Sequence, residues 1–345
     1  MIEIDGSSGE GGGQILRTAL SLSCLLNKPF RIYNIRKGRA KPGLMPQHLV
    51  SVRAAQRISR AEASGDRHGS TELFFSPQGV QGGDYSFDIG TAGSTSLVLQ
   101  TIAPALIFCT GKSTVTLRGG THVPFSPSFH YLAGVFAPSL RTLGIDLRLE
   151  IETYGFYPKG GGLIRAGIWP ARGVLPLREK ERGGVLKLDR ISAVGNLPLS
   201  IAERQKQALL GMLSGGIGHP DSLAEIGLHD VPTPGQGTFV FLRAESANVL
   251  AGFTALGARG KRAETVGEEA AREFIAYRDS GAPLDPHLAD QLVLYLSLCE
   301  EGSVFITSCI TRHLLTNLWA IGRFHDFRFS VEGEVGRPGR VTINE

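Results

Sequence analysis

The chain has 345 residues and a formal net charge of +4, with 42% hydrophobic and 20% charged residues. This supports a large apolar core, and the charge is too modest to indicate a nucleic-acid-binding module by itself. Glycine, at 45 residues, is well above its usual share, but it falls in short runs and never recurs every third residue, which excludes a collagen-like chain.

The N-terminal Met1–Asp5 has neither a basic region nor an apolar one, so no signal peptide is expected. No uninterrupted apolar stretch is long enough to cross a membrane. Cys24, Cys109, Cys299 and Cys309 form no C-x-x-C pair, which suits free thiols rather than a zinc site. A cytoplasmic chain without membrane association is the expectation.

Three stretches repeat one order of elements: a helix, a strand, a polar loop, a second helix and two strands. The first has helix Gln14–Leu26, strand Phe30–Ile35, loop Arg36–Pro46, helix Gln47–Ile58, and strands at Glu72–Phe75 and Tyr85–Ile89. The second has helix Ser96–Phe108, strand Ser113–Leu117, loop Gly119–Pro127, helix Phe129–Leu143, and strands Asp146–Ile151 and Leu163–Ile168. The third has helix Leu288–Leu298, strand Val304–Ile306, loop Thr307–Arg312, helix His313–Phe324, and strands Phe327–Val331 and Val341–Ile343.

Between the second and third stretches the order breaks. Val185–Val194 and Gly237–Leu242 read as strands, and Ser200–Leu213, Ala247–Gly257 and Ala263–Tyr277 as helices. Arg178–Gly184 has the charge and glycine of a linker. The expected fold is therefore α/β of the α+β kind. Three βαβαββ-type units form a large domain of residues 1–181 plus 278–345, and a smaller α/β domain, 182–277, is inserted before the third repeat.

The chemistry-bearing segments sit at the loops between these elements. Gly9-Glu10-Gly11-Gly12-Gly13-Gln14 leads into a helix, as a tight turn or as a cradle whose backbone N–H groups approach a phosphate. Glu10 would repel a bare phosphate, and a metal ion between the two removes that conflict. Arg17 lies one turn further on. The loop after the first strand carries Arg36, Lys37, Arg39 and Lys41 within six residues, either a solvated basic loop or a phosphate-binding patch, with Gln47 and His48 beyond it. Gly90–Thr95 is at least an N-cap turn, and Gln100 follows within the helix it opens. Asp290 near a helix start is a carboxylate favoured by the dipole or a ligand group. His313 stands where the third repeat passes from loop to helix, the position of the basic loop's end in the first.

Together Gly9–Arg17, Arg39–Leu44 with Gln47-His48, Gly119-Gly120-Thr121, Gly155–Gly162, His287–Gln291 and His313–Asn317 resemble the RNA 3′-terminal phosphate cyclase family, in order over nearly the whole chain. The resemblance implies an ATP-dependent ligase-type enzyme acting on RNA with a 3′-terminal phosphate and converting that end to a 2′,3′-cyclic phosphate. A histidine would take AMP from ATP and pass it to the RNA 3′-phosphate, and the neighbouring O2′ would then displace it. His313 matches the nucleophile and Glu10 the ligand of Mg²⁺ or Mn²⁺. Arg17 and Gln47 match phosphate contacts, and Gln100, Asp290 and Gln291 match groups near the adenosine. Pro127 and Tyr131 fall where the adenine packs. Arg39, Lys41 and His48 would serve the RNA end or the polyphosphate. His287 receives no stacking role.

Three other readings compete. A non-catalytic cyclase-like protein of ribosomal RNA processing should lack the nucleophile and much of the ATP pocket, whereas His313, Glu10, Arg17 and Gln100 are present. An enolpyruvyl transferase shares related repeats but needs no histidine nucleophile. A plain RNA-binding module would use the basic loop alone. The inserted segment carries no motif with an assignable chemistry, and oligomeric state is not legible.

Overall fold

Three sheets with one strand order account for most of the chain in the computed structural model, which describes residues 1–214 and 226–344. The first unit runs β1 (Ile2–Asp5), α1 (Gly13–Leu26), β2 (Phe30–Tyr33), α2 (Pro46–Ser59), β3 (Glu62–Ser64) and β4 (Leu73–Ser76). Its sheet is ordered β1-β2-β4-β3, with β1 and β2 parallel and the rest antiparallel. The second unit runs β5 (Asp84–Asp88), α3 (Thr95–Ile107), β6 (Ser113–Gly119), α4 (Phe129–Tyr131), a π-helical turn (Leu132–Phe136), α5 (Ala137–Thr142), β7 (Leu147–Thr153) and β8 (Gly162–Ile168). Its order, β5-β6-β8-β7, is the same.

The third unit starts earlier than the sequence suggests. Arg178–Glu179, read as part of a linker, is β9 and pairs in parallel with a strand that follows the insert. The insert then supplies β10 (Val185–Gly195), α6 (Ser200–Ser214), β11 (Gly227–Asp230), β12 (Gly237–Ser246), β13 (Leu250–Leu256) and α7 (Ala263–Ser280). The unit resumes with α8 (Pro286–Leu296), β14 (Ser303–Thr307), α9 (Arg312–Ile321), β15 (Phe329–Glu332) and β16 (Gly339–Ile343), giving β9-β14-β16-β15. The insert thus interrupts the third unit after its first strand.

The phase of the repeat also shifts. Tyr85–Ile89, read as closing the first stretch, overlaps β5, which pairs with β6 and opens the second sheet. Among the strands missed in sequence, β1, β3 and β11 are only four, three and four residues long, too short to display an alternation.

One inserted element differs in kind. Ala247–Gly257, expected as a helix, forms β13, antiparallel to β12 with Phe253 opposite Leu242. Short apolar runs satisfy both periods, and here a neighbouring strand supplies the partner. Ala251, Phe253 and Ala255 bury one face in a core shared with α6 and α7. Gly252 faces the other way, where a Cβ would lie 2.9 Å from the Tyr131 ring and 2.8 Å from Val135. Glycine therefore lets this strand rest directly on the second unit.

The β12 strand is apolar on both faces for the same reason. Val240, Leu242 and Ala244 enter the insert's core, and Phe239 and Phe241 enter the main core. Arg243 donates from Nε to the Gly134 carbonyl at 2.8 Å, within the π-helical turn. In the main core α1 packs on α2, α3 and α9, and α8 packs on α9 and on the π-helical turn, so helices of all three units share one core.

A buried histidine pair lies at the junction with the insert. His122 Nε2 is 2.9 Å from His130 Nδ1, and the His122 ring stacks on Tyr154 and Phe239. Burial, aided by His229, pushes His130 down to about 4, and burial holds His122 well below its usual value too. The unfolded chain gains these protons near pH 6.5, before the folded chain does. Stability is therefore complete above about 6.5 and is lost as pH falls toward about 4, by up to about 3 kcal/mol for His130. Denaturant titrations across that window should show this loss, with a flatter slope in His130→Phe. Equal slopes would mean that the folded pair accepts protons freely.

Candidate active site

The glycine run before α1 is fitted against α9. Gly9 has φ +56, and a Cβ there would collide with the Thr316 hydroxyl. The next residue, Glu10, donates its backbone N–H to Thr316 Oγ1 at 3.3 Å. This places the Glu10 carboxylate beside the first turn of α9, with Oε2 2.6 Å from His313 Nδ1. Its Oε1 receives Arg39 Nη2 at 2.7 Å.

Around this pair opens a cleft of about 730 Å³, lined from all three units and from the insert. Glu10, Arg17, Arg39, Gln47, His48, Gln100, Pro127, Tyr131, Asp290, Gln291 and His313 all line it. Lys41 does not. Its side chain is exposed, and its carbonyl accepts from Arg36 Nη1 at 2.6 Å. Arg36 also bonds the Gly43 carbonyl at 2.9 Å, so one cation of the basic loop pins the loop's own backbone.

A polar chain joins the first and third units under the cleft. Arg17 donates to Gln14 Oε1 at 2.8 Å, and Gln14 Nε2 donates to Asn317 Oδ1 at 2.9 Å. Thr18 Oγ1 bonds the same Asn317 oxygen at 2.8 Å, and Asn317 Nδ2 donates to the Asp290 carbonyl at 2.8 Å. The Asp290 side chain accepts Thr311 Oγ1 at 2.5 Å. Burial raises the Asp290 pKa well above the carboxylate range, with Asp285 and Glu10 adding to the rise. A neutral carboxyl there can donate a hydrogen bond as well as accept one.

The cleft's other titratable groups are held in defined states. Burial lowers Arg17 to about 10, which leaves it charged near neutral pH. His48 is pushed down to about 3 by burial and by Arg17 and Arg36. Its Nδ1 accepts the Met45 N–H at 3.1 Å, so the proton of the neutral ring is on Nε2. That edge faces Gly13, where a Cβ would leave no room for it. Burial lowers His313 as well, with Arg17, His287 and Arg39 acting in the same direction and Glu10 opposing them.

At the apolar end, Gln100 Nε2 donates to Gln291 Oε1 at 2.6 Å. Pro104, Phe136, Leu294 and Tyr295 surround this end. The Tyr131 hydroxyl donates to Asp285 at 2.8 Å, fixing the ring. Gln47 Oε1 accepts the Ser94 N–H at 3.2 Å and so ties α2 to the start of α3.

The sequence reading assigned no role to Gln14, Thr18 or Asn317, whose links depend on α1 meeting α9. It also gave nothing to the insert, yet Gly252, Thr254 and Glu273 line the cleft. Thr254 Oγ1 is 2.9 Å from Ser128 Oγ. No local spacing signals these residues, because β13 delivers Gly252 and Thr254, and α7 delivers Glu273, from the insert.

Among the described residues no group of three or more His, Cys, Asp or Glu could hold a metal ion. Glu10 Oε2 is buried without an aligned hydrogen-bond donor, its His313 contact being an ion-pair contact. This donor set fits a divalent cation taking one protein carboxylate and completing its shell with phosphate oxygens and water. Among the described residues no helix is long and apolar enough to cross a membrane.

A family model for RNA 3′-terminal phosphate cyclase matches residues 8–331. A protein named RNA 3′-terminal phosphate cyclase from Pyrobaculum aerophilum is 43% identical over 99% of this chain and 97% of its own. Proteins of the same name from Sulfolobus acidocaldarius and Methylococcus capsulatus are 45% and 44% identical. These cover 96% and 100% of this chain and 97% and 96% of their own lengths.

Proposed function

The chain belongs to the RNA 3′-terminal phosphate cyclase family, and on that premise we propose that its cleft converts an RNA 3′-phosphate to a 2′,3′-cyclic phosphate through a covalent histidine–AMP. The observation that carries this reading is His313 against Glu10 at the mouth of a cleft with a cationic end and an amide-lined apolar end. A neutral His313 with its proton on Nδ1, toward Glu10, presents the Nε2 lone pair.

Nε2 attacks the α-phosphorus of ATP, an N–P bond forms, and the bond to the β-phosphate oxygen breaks to release pyrophosphate. An oxygen of the RNA 3′-phosphate then takes the AMP group and frees the histidine. The ribose O2′ finally attacks the activated 3′-phosphorus, loses its proton and displaces AMP. Arg17, held by Gln14, and the Nε2–H of His48 face the phosphate end and would stabilise negative charge as phosphorus becomes five-coordinate. Mg²⁺ or Mn²⁺ held by Glu10 would neutralise charge on the departing pyrophosphate. Incubating the protein with ATP, Mg²⁺ and an RNA bearing a 3′-phosphate should yield a cyclic end and AMP. An unchanged RNA end would reject the reading.

The Gln100–Gln291 pair gives the base preference. Its internal bond leaves Gln100 Oε1 as an acceptor and Gln291 Nε2 as a donor. An adenine edge offers a donor at N6 beside an acceptor at N1, the complementary pair. A guanine edge held in the same pose would set its O6 acceptor against Gln100 Oε1 and its N1 donor against Gln291 Nε2, so discrimination rests on the ribose and phosphates fixing that pose. Gln100→Ala should therefore raise the KM for ATP about tenfold and narrow the discrimination against GTP. Equal ATP and GTP kinetics in the wild type would show that the pair does not read the base.

A further inference from the structure

Phe125 is the most exposed large apolar side chain of the described residues, at 102% of its reference area, and it also lines the cleft. Its backbone is in the left-handed region, with φ +61, which a bulky aromatic residue rarely adopts. Solvent exposure gives no packing reason for either feature.

The loop that carries Phe125 is closed at its base. The Phe129 N–H bonds the Thr121 carbonyl at 2.9 Å, and the Thr121 and His122 N–H groups bond the Gly155 carbonyl. Ser126 Oγ donates to the Val123 carbonyl at 3.0 Å across the tip. Thr121, His122, Val123 and Ser128 are buried, and prolines stand at 124 and 127. The ring is thus held outward on a stiff, anchored loop, so little conformational freedom is lost when something stacks on it.

We propose that Phe125 is the stacking platform for the 3′-terminal nucleobase of the RNA substrate. This rests on the cyclase reading, in which two nucleosides must approach the phosphorus at His313. The adenine end of the cleft is enclosed by Pro104, Phe136 and Tyr295, whereas Phe125 stands open to solvent. Both rings arrive from outside in every turnover, and with the enclosed end serving the adenine, the open ring is left for the terminal base of the RNA. An aromatic face accepts any base, which suits an enzyme that acts on an end and not on a sequence.

The test measures binding of a short RNA with a 3′-phosphate by fluorescence anisotropy, which needs no chemistry and so stands apart from the cyclase assay. Phe125→Ala should weaken binding about tenfold, the size of one lost base stack, and Phe125→Trp should retain it. An RNA whose last nucleotide is abasic should lose the same factor with the wild type and nothing further with Phe125→Ala. In turnover, the KM for RNA should rise with little change in kcat, while AMP transfer from ATP to the protein keeps its ATP dependence. Equal RNA affinity of wild type and Phe125→Ala would overturn the proposal. So would an equal loss on the abasic RNA in both proteins, or a raised ATP requirement, which would assign the ring to the nucleotide. Failure of the wild type to take up AMP, with the binding pattern intact, would reject the cyclase reading alone.

Discussion

His313→Ala should leave no covalent AMP on the protein and reduce cyclisation by at least about 10³-fold, because the group proposed to form the N–P bond is gone. Loss of fold would not explain that result. The His313 side chain is 48% exposed, and among the described residues its one ion-pair contact is with Glu10. Truncation removes little packing, so stability should change by no more than about 1 kcal/mol. Binding of ATP should persist, since Arg17, Gln47 and the Gln100–Gln291 end remain. Label from ATP carrying its tracer at the α-phosphate should be acid-labile and alkali-stable in the wild type, as expected of a phosphoramidate, and absent in the variant. A comparable adduct in His313→Ala would place the nucleophile elsewhere.

Glu10 should give the next largest loss, and two substitutions divide its roles. The carboxylate contacts Nδ1 of His313 through one oxygen and Arg39 through the other. Glu10→Gln keeps an oxygen for the imidazole N–H but removes the charge proposed to draw a divalent cation. AMP uptake should fall about 10²-fold at low Mg²⁺ and recover in part as Mg²⁺ is raised. Glu10→Ala removes the orienting oxygen as well, and added metal should restore less. Wild-type metal dependence in Glu10→Gln would remove the metal assignment and leave only the orienting role. In either variant Arg39 loses its partner, so RNA binding should change less than AMP uptake does.

The repeat was legible because each unit spends similar apolar residues on similar elements. Gln14–Leu26, Ser96–Phe108 and Leu288–Leu298 all enter one core through faces that their helical periodicity already displays. Its phase was less legible. Each unit opens on a strand whose partner lies beyond a helix, and Arg178–Glu179 finds its partner only past the whole insert. Ala247–Gly257 misled for a related reason, since a short apolar run becomes helix or strand according to its neighbours.

In the cleft, the residues named from loop and helix starts converge because each lies where its unit's helices begin. Lys41 falls outside because Arg36 holds its backbone and the loop turns its side chain to solvent. Gln14, Thr18 and Asn317 received no role for the opposite reason. Their hydrogen bonds cross between the two ends of the chain, and no local pattern encodes a partner roughly three hundred positions away. Thr254 and Glu273 belong with them, brought to the cleft by an insert without a motif of its own.

The most direct test of the central claim is a single-turnover transfer. The protein is loaded with labelled AMP, freed of ATP and pyrophosphate, and mixed with an RNA bearing a 3′-phosphate. The account predicts that the label leaves the protein and appears as free AMP in step with the 2′,3′-cyclic end, with no added ATP. Label that stays on the protein while the RNA keeps its 3′-phosphate would contradict it.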